Sequence, residues 1–409
     1  MKRILTLVLT LMLLVSCFAP AAMAEDPVVI QFWSELGGED LQYMIKLCDA
    51  FNAAQSEVRL EHAALGGDVL TKMRLALGDD DAMPELIRGS LELATYAEEG
   101  LIQPFDAVFA AYPDYDFDMA DFTDGAVASN FYNEKVYGLT SEFPLWGTWV
   151  NKPLQEQYAP NVLDDGVITW DEIREIGAKL AVERPGTSTL CLNWNQNDML
   201  FSYVEVGGER FDENGFVSLD KELYMESMVF PELYAAGYLW QEGEVKKDKF
   251  TLGDVMFYTG GTWDASFMRT LDFETLYVGL PVHNAEYGTL LTGGANGFML
   301  PKRNYSDKEL WAVGKFLHWF FENEILWAES GAVISYLPVI NSAEYAALPQ
   351  GPVGNVALSW FKIPSPYASI STNVQNSFNW DVVYGYVSEQ DYVDSWEKQA
   401  NDQIAATMQ

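Results

Sequence analysis

The opening of the chain alternates apolar runs with helical patterns, and few folds accommodate that order. Val28-Val29-Ile30-Gln31-Phe32-Trp33 suits a buried strand, and after Gly37-Gly38 apolar residues return at helical spacing from Asp40 to about Ala54. A second strand is expected from Val58 to Ala63, a second helical stretch near Val69–Leu77, and a third strand at Pro84-Glu85-Leu86-Ile87. Parallel neighbours can be joined only by a crossover, so strand-helix-strand-helix-strand implies a parallel sheet with right-handed connections. The first part of the chain is therefore α/β. Farther on, Thr169-Trp170-Asp171-Glu172 and Ser306-Asp307-Lys308-Glu309 carry the capping-box pattern ahead of apolar periodic stretches, and each marks a helix start. With 409 residues, 49% of them apolar, the chain can bury a sizeable core. It shows no internal repeat and no Ser/Pro tether, so two lobes joined by more than one short crossing are expected.

Residues 1–24 begin with Lys2-Arg3, run apolar from Ile4 to Val15 and close on Ala22-Met23-Ala24, the three-part pattern of a secretory signal. Export of the mature chain follows, to the extracellular face or a periplasm. Two processing routes are open. Leu14-Val15-Ser16-Cys17 resembles a lipobox that would leave Cys17 lipidated, and Ala22-Met23-Ala24 resembles an ordinary cleavage site before Glu25. No later segment is long and apolar enough for a bilayer span of about 20 residues. Cys48 sits on an apolar helix face with Leu41, Met44, Ile45 and Phe51, which favours a buried free thiol over a disulfide with Cys191.

Charge and composition exclude several functions. The formal net charge is −36, and no basic run of the mature chain is longer than Lys246-Lys247, so a nucleic-acid partner is not expected. His62, His283 and His318 lie far apart with no metal-ligand spacing, and neither a metal nor a cofactor is expected. Gly260-Gly261 and Gly293-Gly294-Ala295-Asn296-Gly297 lack the endings of nucleotide-binding loops and read as backbone turns. Among the many acids, Glu142, Glu205 and Glu209 are the best candidates for a glycosidase carboxylate pair. Most acids on such a chain simply solvate its surface.

Aromatic side chains are the feature that composition does not explain away. They make up 14% of the chain, with 13 Trp, and several stand beside Gly, Asn or Pro where loops are expected. A pyranose ring stacks its C–H face on a flat aromatic ring, and its hydroxyls take planar polar partners. Core packing is the ordinary use of a Trp. Even so, Trp194 in Asn193-Trp194-Asn195-Gln196-Asn197-Asp198 and Trp263 in Gly260-Gly261-Thr262-Trp263-Asp264 stand in poor core sequence. There the ligand reading is the better one.

The ordered landmarks resemble those of the family 1 extracellular solute-binding proteins, the receptors of sugar ABC transporters, of which maltose-binding protein is the familiar example. Ile30-Gln31-Phe32-Trp33 resembles the family's first strand, and Asp49-Ala50-Phe51-Asn52 the end of its first helix. Pro84-Glu85-Leu86 stands where the family has Pro-Asp-hydrophobic, and Val150-Asn151-Lys152-Pro153-Leu154 where it has Tyr-Asn-Lys. Thr169-Trp170-Asp171-Glu172, the run from Phe250 through Gly253-Asp254-Val255-Met256-Phe257 to Gly261-Thr262-Trp263, Gly279-Leu280-Pro281 and Tyr336-Leu337-Pro338 continue the order. The resemblance implies a type II periplasmic binding protein fold, α/β with mixed sheets and a hinged interlobe cleft. Lobe 1 would be 25–143 plus 281–325 and lobe 2 would be 144–280 plus 326–409, with crossings near Phe143–Trp146, Val278–Val282 and Asn323–Trp327. It also implies a monomer that captures a carbohydrate, an oligosaccharide by preference, and passes it to the permease subunits of an ABC importer without catalysis. A secreted glycoside hydrolase is the alternative. Ligand contacts are expected from Trp33, Glu35, Glu39, Arg88, Ser90 and Glu92 on one side. Trp194, Asn195, Asn197, Asp198 and Trp263 would face them, with Trp146 at the crossing. Against this stands the ordinary fate of charged residues such as Glu35, Glu39, Arg88 and Glu92, which is to face water.

Overall fold

A computed structural model describes residues 26–193, 195–287, 292–348, 350–351 and 367–407. The elements that frame the site are, in chain order, strand β1 (Val28–Ser34), helix α1 (Gly38–Ala54), β2 (Val58–Ala64), α2 (Val69–Ala76), β3 (Leu86–Ser90) and β4 (Ile102–Gln103). They continue with β5 (Gly138–Glu142), β6 (Leu145–Asn151), α3 (Trp170–Glu183), β7 (Ser188–Cys191), α4 (Asn195–Glu205), α5 (Lys246–Thr251), β8 (Val255–Gly261) and β9 (Thr275–Val278). Last come β10 (Thr292–Gly293), β11 (Asn296–Pro301), α6 (Asp307–Glu322), α7 (Ile325–Ala328), α8 (Ala368–Asn376) and α9 (Glu389–Thr407).

The expected strand-helix-strand-helix-strand opening is present, with β2 and β3 parallel to β1 on either side. β11 then returns antiparallel to β3, β4 and β5, so the first sheet is mixed, in the order β2-β1-β3-β11-β4. The second sheet runs β9-β6-β8-β7, with β7 parallel to β8 and the rest antiparallel. Both capping boxes form: Thr169 and Glu172 close the start of α3, and Ser306 and Glu309 that of α6. Each exchanges two hydrogen bonds that satisfy otherwise orphaned first-turn donors, worth about 1 kcal/mol per cap.

Helix α6 anchors the first lobe. Its buried face, Phe316, Leu317, Phe320 and Phe321, meets Phe32 of β1, Phe51 of α1 and Phe298 of β11, with ring centroids 4.7 to 6.5 Å apart. Burying each such ring contributes on the order of 1.5–3 kcal/mol. Cys48 and Cys191 are buried free thiols. Ile45, expected on the same face as Cys48, is instead 39% exposed, because α1 turns Met44, Leu47, Cys48 and Phe51 inward.

The lobe boundaries differ from those expected at two places. The first passage falls between β5, which belongs to the first sheet, and β6, which belongs to the second. The second does not lie at 280/281. Val282 still donates to the Ile168 carbonyl, His283 to Glu205, and β10 pairs with β6, so the chain joins the first sheet only at Asn296. Gly294-Ala295 is the link, and Gly260-Gly261, expected as a turn, is the end of strand β8. The second lobe does not resume at 326 either. Val333 bridges Phe143, Tyr336 bridges Phe122, and Ser335 reaches the Thr140 carbonyl, because this apolar stretch is buried against lobe 1. Residues 367–407 pack on the second lobe, where Arg210 donates to Ser371 and Asn401 pairs with Val217. The connecting residues 352–366 lie outside the described residues, as do 1–25 with Cys17.

Candidate functional site

From β1 the chain winds to β2 on one side and to β3 on the other, and ligands of open α/β sheets bind at such switch points, outside the carboxyl ends of the strands. Glu35 follows β1 and Ser90 ends β3. The Ser90 backbone N–H reaches the Glu35 carboxylate, and a side chain at Gly89 would come within 3.1 Å of Glu35 Oε2. Burial raises the Glu35 carboxyl above its ordinary value, with Arg88 and the Ser90 N–H opposing it. Asp40, in the first turn of α1, is pushed up to about 7, chiefly by burial and next by the charge of Glu142. Glu39 and Glu92 stand exposed beside them.

Arg88 and Trp33 behave differently from their neighbours. Trp33 is half-buried and packs onto the small cluster that includes Val69, Met73 and Ile87. Arg88 does not face water: it is fully buried, with Nη2 2.7 Å from Glu142 Oε1, its Nε donating to Ser141 Oγ at 3.1 Å, and its guanidinium 4.6 Å from the Trp327 ring centre. A buried cation must be paired to persist, and Glu142 supplies that pairing.

On the second lobe β8 runs into a tight turn, Thr262-Trp263-Asp264. The Trp263 ring folds back over its own strand. A Cβ on Gly261 would lie 2.3 Å from its ring carbons, so only glycine permits the ring to lie flat there. Behind it stands Trp146, with ring centres 5.8 Å apart. Trp146 and Asp198, expected at the ligand, are both buried: Trp146 Nε1 donates to Asp198 Oδ1 at 2.9 Å and Thr259 Oγ1 donates to Oδ2 at 3.0 Å. Together they form a brace beneath Trp263. Burial lifts Asp198 to about 7 despite these two donors, and lifts Asp264 to about 6 against the pull of Lys247 and the Gly261 N–H.

Trp194 and the side chains of Asn195 and Asn197 lie outside the described residues; the backbone places Asn195 and Asn197 in the first turn of α4. Next to them is a residue that sequence reasoning missed. Lys246 lies over the rings of Trp240 and Trp380, at 4.6 and 4.0 Å, and donates to the Asn193 carbonyl at 3.3 Å. Burial lowers its ammonium to about 8. Asp40 and Asp264 were also not singled out. Asp264 had a signal, its place directly after the Gly-Gly-Thr-Trp run, whereas Asp40 looks like any first-turn acid.

The two edges face each other: the charge of Asp264 is among those that raise Asp40. The carboxylates considered for glycoside hydrolysis do not form a pair. Glu142 is committed to Arg88, Asn296 and Trp327, Glu205 accepts from His283 in the second lobe, and Glu209 is exposed. Among the described residues no group of His, Cys, Asp and Glu is arranged to hold a metal, and no helix is long and apolar enough to cross a membrane.

Residues 46–352 match the family described as bacterial extracellular solute-binding protein. The chain belongs to that family. No curated protein sequence matches this solute-binding protein, but solved structures do. The sugar-binding protein MalE from Xanthomonas citri superposes with a TM-score of 0.76 at 13% identity, covering 93% of this chain and 98% of that one. The cyclic alpha-maltosyl-1,6-maltose binding protein from Arthrobacter globiformis gives 0.69 at 18% identity, over 92% and 98%. An ABC substrate-binding protein from Listeria monocytogenes in complex with cycloalternan gives 0.71 at 18%, over 93% and 100%. At such identities the likeness establishes the two-lobed, mixed α/β fold of this solute-binding protein.

Proposed function

We propose that this solute-binding protein is exported, acts as a monomer, captures a carbohydrate between its lobes and delivers it to an ABC importer. The observation that carries the reading is the half-exposed Trp263 ring, laid flat on Gly261 and backed by Trp146, next to Asp264 and opposite Asp40. A flat ring takes the C–H face of a pyranose, and an edge rich in carboxylate acceptors takes the hydroxyl donors around its rim. Trp33, Glu35, Glu39, Arg88, Ser90 and Glu92 serve the first-lobe edge in this reading, Arg88 by fixing the floor. Trp194, Asn195 and Asn197 serve the second, with Trp146 and Asp198 as the brace. The neighbours named for a sugar, a cyclic maltosyl-maltose and cycloalternan support an oligosaccharide. Binding both lobes only when closed, the sugar shifts the population to the closed form that a permease would recognise.

A thermal-shift screen of the chain from Glu25 onward tests this, because a ligand bound only by the native state raises the melting temperature. A reproducible rise with one glycan series, with the glycan recovered intact, is the expected result. Silence from all sugars together with a rise from polyamines or short peptides would overturn the ligand class.

A further inference from the structure

Two of the peptide links between the lobes are very short. Glu142 ends β5 and Leu145 begins β6, so the first link is Phe143-Pro144; Gly293 ends β10 and Asn296 begins β11, so the second is Gly294-Ala295. Each is further restrained, since Phe143 donates to the Val333 carbonyl and Ala295 accepts from Leu91. Among the described residues, that leaves Pro144 and Gly294 without such a backbone tie.

One carboxylate gathers the first-lobe ends of both links. Glu142 Oε1 accepts from Asn296 Nδ2 at 3.0 Å and holds Arg88 of β3 at 2.7 Å, while Oε2 accepts from Trp327 Nε1 of α7 at 2.8 Å. The backbone is shaped to allow this. Pairing of β11 with β5 shifts register between Asn296 and Gly297, which places Asn296 opposite Glu142, and a side chain at Gly297 would strike the Leu139 carbonyl at 2.2 Å. Three residues past Trp327 the same segment touches the second lobe, where Ser330 accepts from Ser266.

We propose that Glu142 is the positioning residue of the hinge, whose single carboxylate holds β3, the first-lobe ends of these two links and helix α7 in one register so that the lobes turn about Pro144 and Gly294. This rests on the reading that the lobes close on a ligand. It assigns Glu142 to the motion, where sequence alone offered it as a hydrolytic acid.

The test is an interlobe distance measured by paired spin labels on cysteines introduced at Leu75 and Leu252, both well exposed and one on each lobe, in the full chain without any sugar. Glu142→Gln keeps the shape but replaces one acceptor oxygen with a donor. Trp327→Phe keeps a ring over Arg88 and removes only the indole donor, and serves if Glu142→Gln does not fold. The expected result is a broadened distribution whose mean moves by about 2 Å or more, together with a changed opening rate. Distributions that superpose on the parent's in either folded variant, even with a lowered melting temperature, would overturn the proposal, because a purely structural role lowers stability without moving the lobes. Failure of the parent to change distance with any sugar would count against the proposed function and leave the hinge assignment to these ligand-free data.

Discussion

The two edges of the cleft use opposite chemistry. The first-lobe edge is ionic: Glu35 and Asp40, with Glu92 and Glu39 beside them, feel the charge of a buried Arg88 that is already paired with Glu142. The second-lobe edge is aromatic, with Trp263 on Trp146 and Lys246 held by Trp240 and Trp380. Charged groups orient a ligand through directional bonds, while stacked rings supply apolar area without demanding one orientation. In the proposed reading one lobe selects hydroxyl geometry and the other holds ring faces.

The largest effect should come from the ionic side. Arg88→Met leaves Glu142 buried without its cation, and breaking such a pair costs about 3–5 kcal/mol; urea unfolding should show that loss, and a loss confined to ligand affinity would mean that Arg88 is a contact residue instead. On the aromatic side, Trp263→Ala should lower sugar affinity by on the order of 10- to 100-fold, the worth of about 1.5–3 kcal/mol for a stacked ring. Calorimetry reads this, and the melting temperature should change little because the ring is half-exposed.

The brace beneath that ring should reveal itself through pH. Burial lifts Asp198 from 3.8 to about 7, so between those values the folded protein keeps a proton that the unfolded chain has released, and stability falls as pH rises through the window. Asp198→Asn keeps an acceptor for Trp146 and carries no charge. It should melt like the parent near pH 4 and above it near pH 7.5, by on the order of 1–3 kcal/mol. The smallest effect probes the facing of the two edges. Asp264→Asn removes a charge that raises Asp40, and the Asp40 titration followed by NMR should move down by about a few tenths of a pH unit. An unmoved titration would mean that the edges stand apart in solution.

Much of this architecture was readable because its signals are local. The opening β-α-β-α-β run and the boxes at Thr169 and Ser306 depend on periodicity and on side chains three residues apart, and all formed as expected. The Trp263 context was also readable, since Gly-Gly before Thr-Trp-Asp announced an unusual backbone. The burial of Arg88, Trp146 and Asp198 was not legible because their partners, Glu142 and Trp327 for the first, Asp198 for the second and Thr259 for the last, lie 52 to 239 positions away. The second passage was misplaced for a similar reason: nothing near residue 281 says that β10 still pairs with β6.

By itself the sequence determined the α/β alternation, the family landmarks and the acidic, Trp-rich character, all set by composition and short-range pattern. Only the tertiary structure decided which acids keep their charge, which Trp rings are buried, and which carboxylate gathers the interlobe links. Those outcomes depend on burial and on pairing between residues remote in sequence, and a carboxylate's energy differs by several kcal/mol between water and a paired interior site.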